Sequence, residues 1–376
     1  IEELCAQKLS LLMLKNERKQ AISNIFNISK VLPDQLSANL GFKLTTAQQR
    51  CIDEINTDLS LDHPMLRLLQ GDVGSVKTIV AVFACLQAAE NGFQAAIMAP
   101  TEILANQHYH GFRDYLEPLG IQIAFLTGSQ NAQQRSEQLA LIVSDSAQVV
   151  IGTHALFQKA VEFNKLGLVI IDEQHKFGVH QRLSLAQKAH NTPHQLVMTA
   201  TPIPRSLTMS AYADLDSSII DELPPGRSLI QTIALANNKK DKVLDKIRQV
   251  CKENNQVYWV CTLIEESEVL RAQAATTTHL YLEENLPDLN IVLIHGKMNK
   301  QEKNDIMLRF STGDINVLVA TIVIEVGVNV PNASLMVIEN SERLGLAQLH
   351  QLRGRVGRGS DASICILMYQ PPLSIN

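Results

Sequence analysis

Two series of short, almost purely apolar runs, separated by helical patterns, constrain this chain more than any other feature. The first series is Met65–Leu69, Ala95–Met98, Ile121–Leu126, Val149–Ile151, Leu168–Ile171 and Leu196–Thr199. The second is Val257–Cys261, Ile291–Ile294, Val317–Ala320, Leu335–Ile338 and Ile364–Met368. Strands with near-continuous apolar character are buried on both faces, and intervening helices supply the covering layers. The pattern predicts a parallel, doubly wound α/β sheet, twice in tandem, with ligand sites at the carboxyl ends of the strands. Between the series lies Asp221 to Arg227, DELPPGR, whose two prolines and glycine halt any helix and mark a linker. Residues 1–40 read as a helical linker segment, with Leu4, Leu11 and Leu12 as its apolar stripe and a break at Pro33 and Asp34. Residues 41–223 then form the first unit and 224–376 the second.

Composition excludes several classes. With 45% hydrophobic and 19% charged residues over 376 positions, the chain has ample core and is not a disordered protein. No run approaches the roughly 18 apolar residues that span a membrane. The six cysteines include no C-x-x-C pair, so neither a zinc site nor a disulfide framework is indicated and a reduced, cytoplasmic setting is expected. A formal net charge of -5 confines any nucleic-acid contact to a local face or cleft. The chain begins at Ile1 and reads as a piece of a longer protein.

Leu68 to Thr78, LLQGDVGSVKT, carries the first chemistry. An apolar run enters the turn Gly71-Asp72-Val73-Gly74-Ser75, then Val76, and Lys77 and Thr78 open a helical pattern that runs through Ala88. Strand, tight loop and helix start form a phosphate cradle, because loop N–H groups and the helix N-terminus converge on one anion. Lys77 is placed to reach terminal phosphates, and the Thr78 hydroxyl to ligate a magnesium ion. The pattern G-x-x-x-x-G-K-[ST] fails at one place, where Val76 stands for the second glycine.

Leu168 to His175, LVIIDEQH, is a buried strand ending in two acids. At a strand's carboxyl end beside a phosphate loop, Asp172 can hold magnesium through water and Glu173 can polarise the attacking water. Gln351 to Arg358, QLRGRVGR, sets three arginines among glycines. Guanidinium groups suit bidentate phosphate contacts, and Arg355 and Arg358 share a face if that turn is helical. Phosphate loop, acids and arginines together imply a nucleotide between the two units. His108 and His110 form H-x-H, but positions i and i+2 do not share a helix face, so no metal site is read there. Trp259, mid-strand, is expected in the core.

In their order, these stretches resemble the motor of superfamily 2 helicases, and the RecG-type DNA helicases in particular, from about residue 40 to the C-terminus. Phe42 to Gln48 is similar to the adenine-reading segment, with Gln48 as its reader. Pro100, Thr101 and Glu102, and Gly152, Thr153 and His154, resemble DNA-tracking motifs. Asp172 to His175 resembles the acidic box. Thr199, Ala200 and Thr201, with His175, resemble the elements that couple hydrolysis to DNA movement. In the second unit Thr262 to Ser267, Ile324 to Val328 (with Gly327 toward the nucleotide), Ile338 to Leu346 and the arginine motif complete the set. The resemblance implies tandem RecA-like domains using ATP and Mg. It implies Lys77, Asp172, Glu173, Gln351, Arg355 and Arg358 in catalysis, and a monomer acting on double-stranded and branched DNA. Turns such as Gly128-Ser129 and Gly152-Thr153 would grip phosphates without reading bases. Closure of the two units on ATP would turn hydrolysis into translocation.

Four positions depart from the family pattern: Val76 for glycine, Ile322 for threonine, Asn329 for aspartate and Lys176 for arginine. A β-branched side chain at position 76 restricts the backbone where nucleotide must come close, and is expected to reduce ATP affinity and hydrolysis. The family's N-terminal wedge domain and its segment beyond the arginine motif are not read in this chain. Two functions therefore stand: a junction-remodelling motor, or a catalytically silent chain that keeps the fold and weak DNA binding.

Overall fold

The structure is a computed structural model. It describes residues 9, 13, 16, 20–71, 77–173, 188, 189, 191–199, 215–222, 230–262, 268–321, 330–357 and 362–372. The chain divides into two units, Ile1–Pro224 and Pro225–Asn376.

In the first unit, helices α1 (Val31–Asn39) and α2 (Thr46–Leu59) precede β1 (Leu66–Gly71), α3 (Lys77–Glu90), β2 (Gln94–Met98), α4 (Glu102–Leu116) and β3 (Ile123–Leu126). Then come α5 (Ala132–Val143), β4 (Val149–Gly152), β5 (Leu166–Asp172), β6 (His194–Thr199) and β7 (Asp216–Ile220). The strands form one parallel sheet in the order β3-β4-β2-β5-β6-β1-β7. β5 shows why the apolar runs had to be strands: all seven residues are buried. Leu168 and Ile170 face one core layer, and Val169 and Ile171 the other. Each such side chain contributes about 1.5–3 kcal/mol on burial, so only a sheet covered on both faces satisfies the run.

The second unit repeats the plan with β8 (Gln231–Ala236), α6 (Lys240–Lys252), β9 (Gln256–Cys261), α7 (Glu268–Asn285), β10 (Ile291–Ile294) and α8 (Lys300–Ser311). It continues with β11 (Val317–Thr321), β12 (Ala333–Ile338), α9 (Leu346–Arg353) and β13 (Ile364–Tyr369). Its parallel sheet runs β10-β11-β9-β12-β13-β8. Trp259 and Tyr258, neighbours on β9, are both buried and point into opposite core layers. The doubly wound reading holds for both units.

Three expectations need correction. Residues 21–30 are not helical. Their N–H groups leave the helical pattern to bond the body of the unit: Ser23 to the Asp62 carbonyl (3.1 Å), Phe26 to that of Leu59 (3.0 Å), Asn27 to Asn91 Oδ1 (2.7 Å) and Ser29 to Gln87 Oε1 (3.0 Å). Pro33 and Asp34 do not break a helix but sit in the first turn of α1, where a missing N–H costs nothing. The two series of apolar runs also lack the edge strands β7 and β8, which the structure adds. Asp216-Ser217-Ser218 in β7 is polar, and the strand is held by pairing to β1 and by Arg67. The Arg67 guanidinium donates to Asp58 (2.7 Å), Glu54 (3.2 Å) and the Ser218 hydroxyl (2.8 Å), tying α2, β1 and β7 together. In β8, the strand pairs along its whole length with β13 although none of its six residues is fully buried.

The described cysteines, Cys51, Cys85, Cys251, Cys261 and Cys365, are buried and free, and burial pushes the thiols of Cys51 and Cys251 up to about 11. Among the described residues no helix is long and apolar enough to cross a membrane.

Candidate active site

Strand β6 lies between β1 and β5, with Gln70 paired to Thr199 and Asp172 to Met198. Gly71, Thr199 and the Asp172-Glu173 pair therefore end in one row on the carboxyl edge of the first sheet. The row continues sideways, since Met98 pairs with Ile171 and Gly152, and Leu126 pairs with Gly152. Pro100-Thr101, Gly152-Thr153-His154 and Gly128-Ser129 follow these strand ends. The parallel topology thus gathers on one edge what the sequence scatters over more than a hundred positions.

Lys77 and Thr78 are half-buried at the start of α3, and the next ten residues, Ile79 to Ala88, are all buried. A helix this deeply set holds its N-terminus rigidly, and the Lys77 ammonium donates to the Gly71 carbonyl at 2.8 Å. Asp172 is buried at the end of β5. Its Oδ2 lies 2.7 Å from Nε2 of His108 on α4. Burial alone would raise the Asp172 carboxyl, but the hydrogen bond and charge of His108, with the charge of Lys77, hold it below the usual carboxylate range. Asp172 is thus ionised, and His108 Nε2 is the donor. Glu173 follows in the left-handed region at φ 52°, a conformation that strains a residue with a Cβ by about 1–3 kcal/mol. Its N–H donates to the Met198 carbonyl (3.0 Å), so the neighbouring strand enforces the turn.

The chemistry of these donors fits a hard cation. Thr78 and Asp172 offer oxygen, and magnesium keeps waters and phosphate oxygens around one or two protein ligands. Among the described residues no group of three or more His, Cys, Asp or Glu side chains could hold a metal.

Elsewhere the structure assigns local duties. Gln48 is buried in a capping box at the start of α2, its Oε1 accepting from the Thr45 N–H (2.9 Å). Thr101 caps α4, accepting from Leu104 N–H (3.3 Å). Glu102 sets its Oε1 3.4 Å from where a Cβ on Gly128 would stand, which brings those two motifs into contact. Gly128, Ser129 and His154 are exposed, whereas the Thr153 hydroxyl is buried without a hydrogen-bond partner among the described residues. Gly152 is required sterically, because a Cβ there would lie 2.2 Å from the Leu126 carbonyl oxygen.

In the second unit, Gln351 is half-buried in the last turn of α9. That helix ends at Arg353, so Arg355 stands in the following turn and the helical spacing considered for Arg355 and Arg358 does not apply to it. Thr262 and the stretch after β12 meet: the Thr262 hydroxyl donates to the Glu339 carbonyl, and the Glu339 carboxylate takes Lys240 (2.8 Å) and Thr278 (3.2 Å). Asp72, Val73, Gly74, Ser75, Val76, His175, Ala200, Thr201, Gly327 and Arg358 lie outside the described residues, as do Lys176, Ile322 and Asn329. Sequence reasoning passed over His108 as a metal ligand and saw no other role, because its partner is 64 residues away.

Two family models match, "DEAD/DEAH box helicase" over residues 45–210 and "Helicase conserved C-terminal domain" over 239–360. The chain is 55% identical, over its whole length, to the ATP-dependent DNA helicase RecG of Escherichia coli O157:H7, and covers 54% of that protein. It is 54% identical to the RecG helicase of Haemophilus influenzae, covering 99% of this chain and 54% of the relative. It therefore spans about half the length of the curated relatives it matches. A solved structure of RecG bound to a three-way DNA junction superposes with a TM-score of 0.84 at 41% identity, covering 98% of this chain and 48% of that one. The Lhr helicase of Mycobacterium smegmatis, at 20% identity and a TM-score of 0.66, shares the fold. With two such sheets, both helicase models and this identity along its whole length, the chain belongs to the RecG-type superfamily 2 helicases and carries their tandem motor domains.

Proposed function

We propose that this chain is the motor of an ATP- and magnesium-dependent DNA helicase that remodels branched DNA, replication forks and Holliday junctions among them. The observation that carries the reading is the row on the first carboxyl edge, where Lys77, Thr199, Asp172 and Glu173 end neighbouring strands or open the helix beside them. Lys77 would leave the Gly71 carbonyl for the terminal phosphates, exchanging a neutral acceptor for an anionic one. Thr78 and Asp172 would hold magnesium, which supplies charge neutralisation on the phosphates. Glu173, fixed in its strained turn, would orient the attacking water and accept its proton. Arg355 and Arg358 would neutralise charge on the transferring phosphoryl group. The exposed Gly128, Ser129 and His154, on the same edge, are the candidates for sequence-independent phosphate contacts. Branched DNA as the substrate rests on the RecG relative bound to a three-way junction.

A second reading is favoured by one residue. Val76 interrupts the phosphate loop, and a silent motor would keep the fold and weak DNA binding. One experiment separates them: magnesium-dependent ATP hydrolysis, with and without three-way-junction DNA, on this chain and on its Val76→Gly variant. DNA-stimulated hydrolysis by the unaltered chain supports the motor and removes the objection from Val76. Hydrolysis by the glycine variant alone identifies a motor silenced at one position. Silence from both overturns the enzyme reading for this chain.

A further inference from the structure

The pair His108 and Asp172 is not accounted for by folding alone. Both side chains are largely buried, at 10% and 12% exposure, and the contact of 2.7 Å joins two elements that are distant in sequence. Taking a charged carboxylate out of water costs about as much as a good partner returns, so such a pair is weak as a stabilising device. Its setting is rigid. His108 stands mid-way along α4, between the fully buried Ala105 and Phe112, and its ring meets the Phe112 ring edge-on at 6.2 Å between centroids. Asp172 is followed at once by the left-handed Glu173, whose N–H donates to the Met198 carbonyl and also favours the ionised Asp172 carboxylate. His108 is the side-chain hydrogen-bond partner of that carboxylate, and it reaches Oδ2 from a separate element, α4.

We infer that His108 is a positioning residue for the metal-holding carboxylate: by occupying Oδ2 of Asp172 it fixes the direction in which that carboxylate meets the cation. The inference rests on the reading of Asp172 as the magnesium-holding acid. Groups that orient a ligand from behind matter to metal affinity by about 10–100-fold when lost. His108 acts through Asp172 and touches neither nucleotide nor water in this scheme. Its removal should therefore weaken the cation and leave the nucleotide's own contacts with Lys77 intact.

The test reads the binding of a fluorescent ADP by anisotropy, first in EDTA and then across a magnesium titration, with manganese as a second cation. The unaltered chain is compared with His108→Leu, which removes the donor, His108→Gln, which offers an amide donor at nearly the same reach, and Asp172→Asn. The same series is made in the Val76→Gly background, so that a weak phosphate loop does not hide the result. The expected result is a rise of about tenfold or more in the half-saturating magnesium for His108→Leu, unchanged affinity in EDTA, and recovery of most of the loss in His108→Gln. Thermal melts accompany each variant, and the glutamine variant keeps the test decisive if the leucine variant does not fold. An unchanged magnesium dependence in His108→Leu, or a glutamine variant well folded yet without recovered magnesium affinity, overturns the role of His108 alone if Asp172→Asn shifts the titration. If Asp172→Asn shifts nothing, or neither background binds nucleotide, the reading of Asp172 falls and this inference with it.

Discussion

The Lys77 ammonium donates to the Gly71 carbonyl at 2.8 Å, so the last residue of β1 and the first of α3 are joined across the five positions of the phosphate loop. The contact ties the lysine back to the end of β1.

If Lys77 takes the terminal phosphates as proposed, its replacement with alanine removes a charged contact worth about 1.5–3 kcal/mol, and ATP affinity should fall about ten- to hundred-fold. Glu173→Gln should behave differently, with near-normal ATP binding and a turnover reduced by about two to four orders of magnitude. Equilibrium binding and steady-state hydrolysis on both variants check this. Loss of binding in Glu173→Gln would contradict its assignment as the water-orienting group.

Arg67 is the one cation among the described residues that joins α2, β1 and β7 through hydrogen bonds. Arg67→Met should leave the largely buried Asp58 without its cation, while Glu54 keeps the Ser218 hydroxyl, and cost the first unit about 3 kcal/mol. Urea unfolding would show a lowered midpoint, and hydrogen exchange would show β7 opening first.

His194 is wholly buried, accepting from the Met65 N–H at Nδ1 (3.0 Å) and donating from Nε2 to the Asn24 carbonyl (2.7 Å). Burial pushes its imidazole below the ordinary value of 6.5, partly offset by the Asn24 hydrogen bond. The unfolded chain then binds the proton more readily than the folded one, so protonation favours unfolding. Its contribution should be complete above about pH 6.5 and decline as pH falls below that, by at most about 1.4 kcal/mol per pH unit. Denaturant midpoints at pH 7.5 and 5.5 should differ more for the unaltered chain than for His194→Gln. Equal differences would remove His194 as the source.

Gly152→Ala would drive a methyl group to 2.2 Å from the Leu126 carbonyl, which forces β3 and β4 apart at their carboxyl ends. The expected cost is about 1–3 kcal/mol in urea unfolding, with weaker DNA binding from displacement of Gly128 and Ser129. Wild-type stability would show that the strand ends yield freely.

The sequence by itself determined the two sheets, since runs such as Leu168 to Ile171 can only be buried on both faces, and helical stretches such as Ile79 to Ala88 only against such a sheet. It also placed Lys77 at a helix start and Asp172 and Glu173 at a strand end, because they stand beside apolar runs whose ends are legible. Edge strands were not legible: β7 and β8 take their pairing from β1 and β13 rather than from their own side chains. Residues 21–30 lost their helix for a similar reason, with backbone donors captured by Asp62, Leu59, Asn91 and Gln87. Only the tertiary structure decided which residues became neighbours. His108 reaches Asp172, and Arg67 reaches Ser218, across 64 and 151 positions, because parallel crossovers bring strand ends together in an order the linear sequence does not contain.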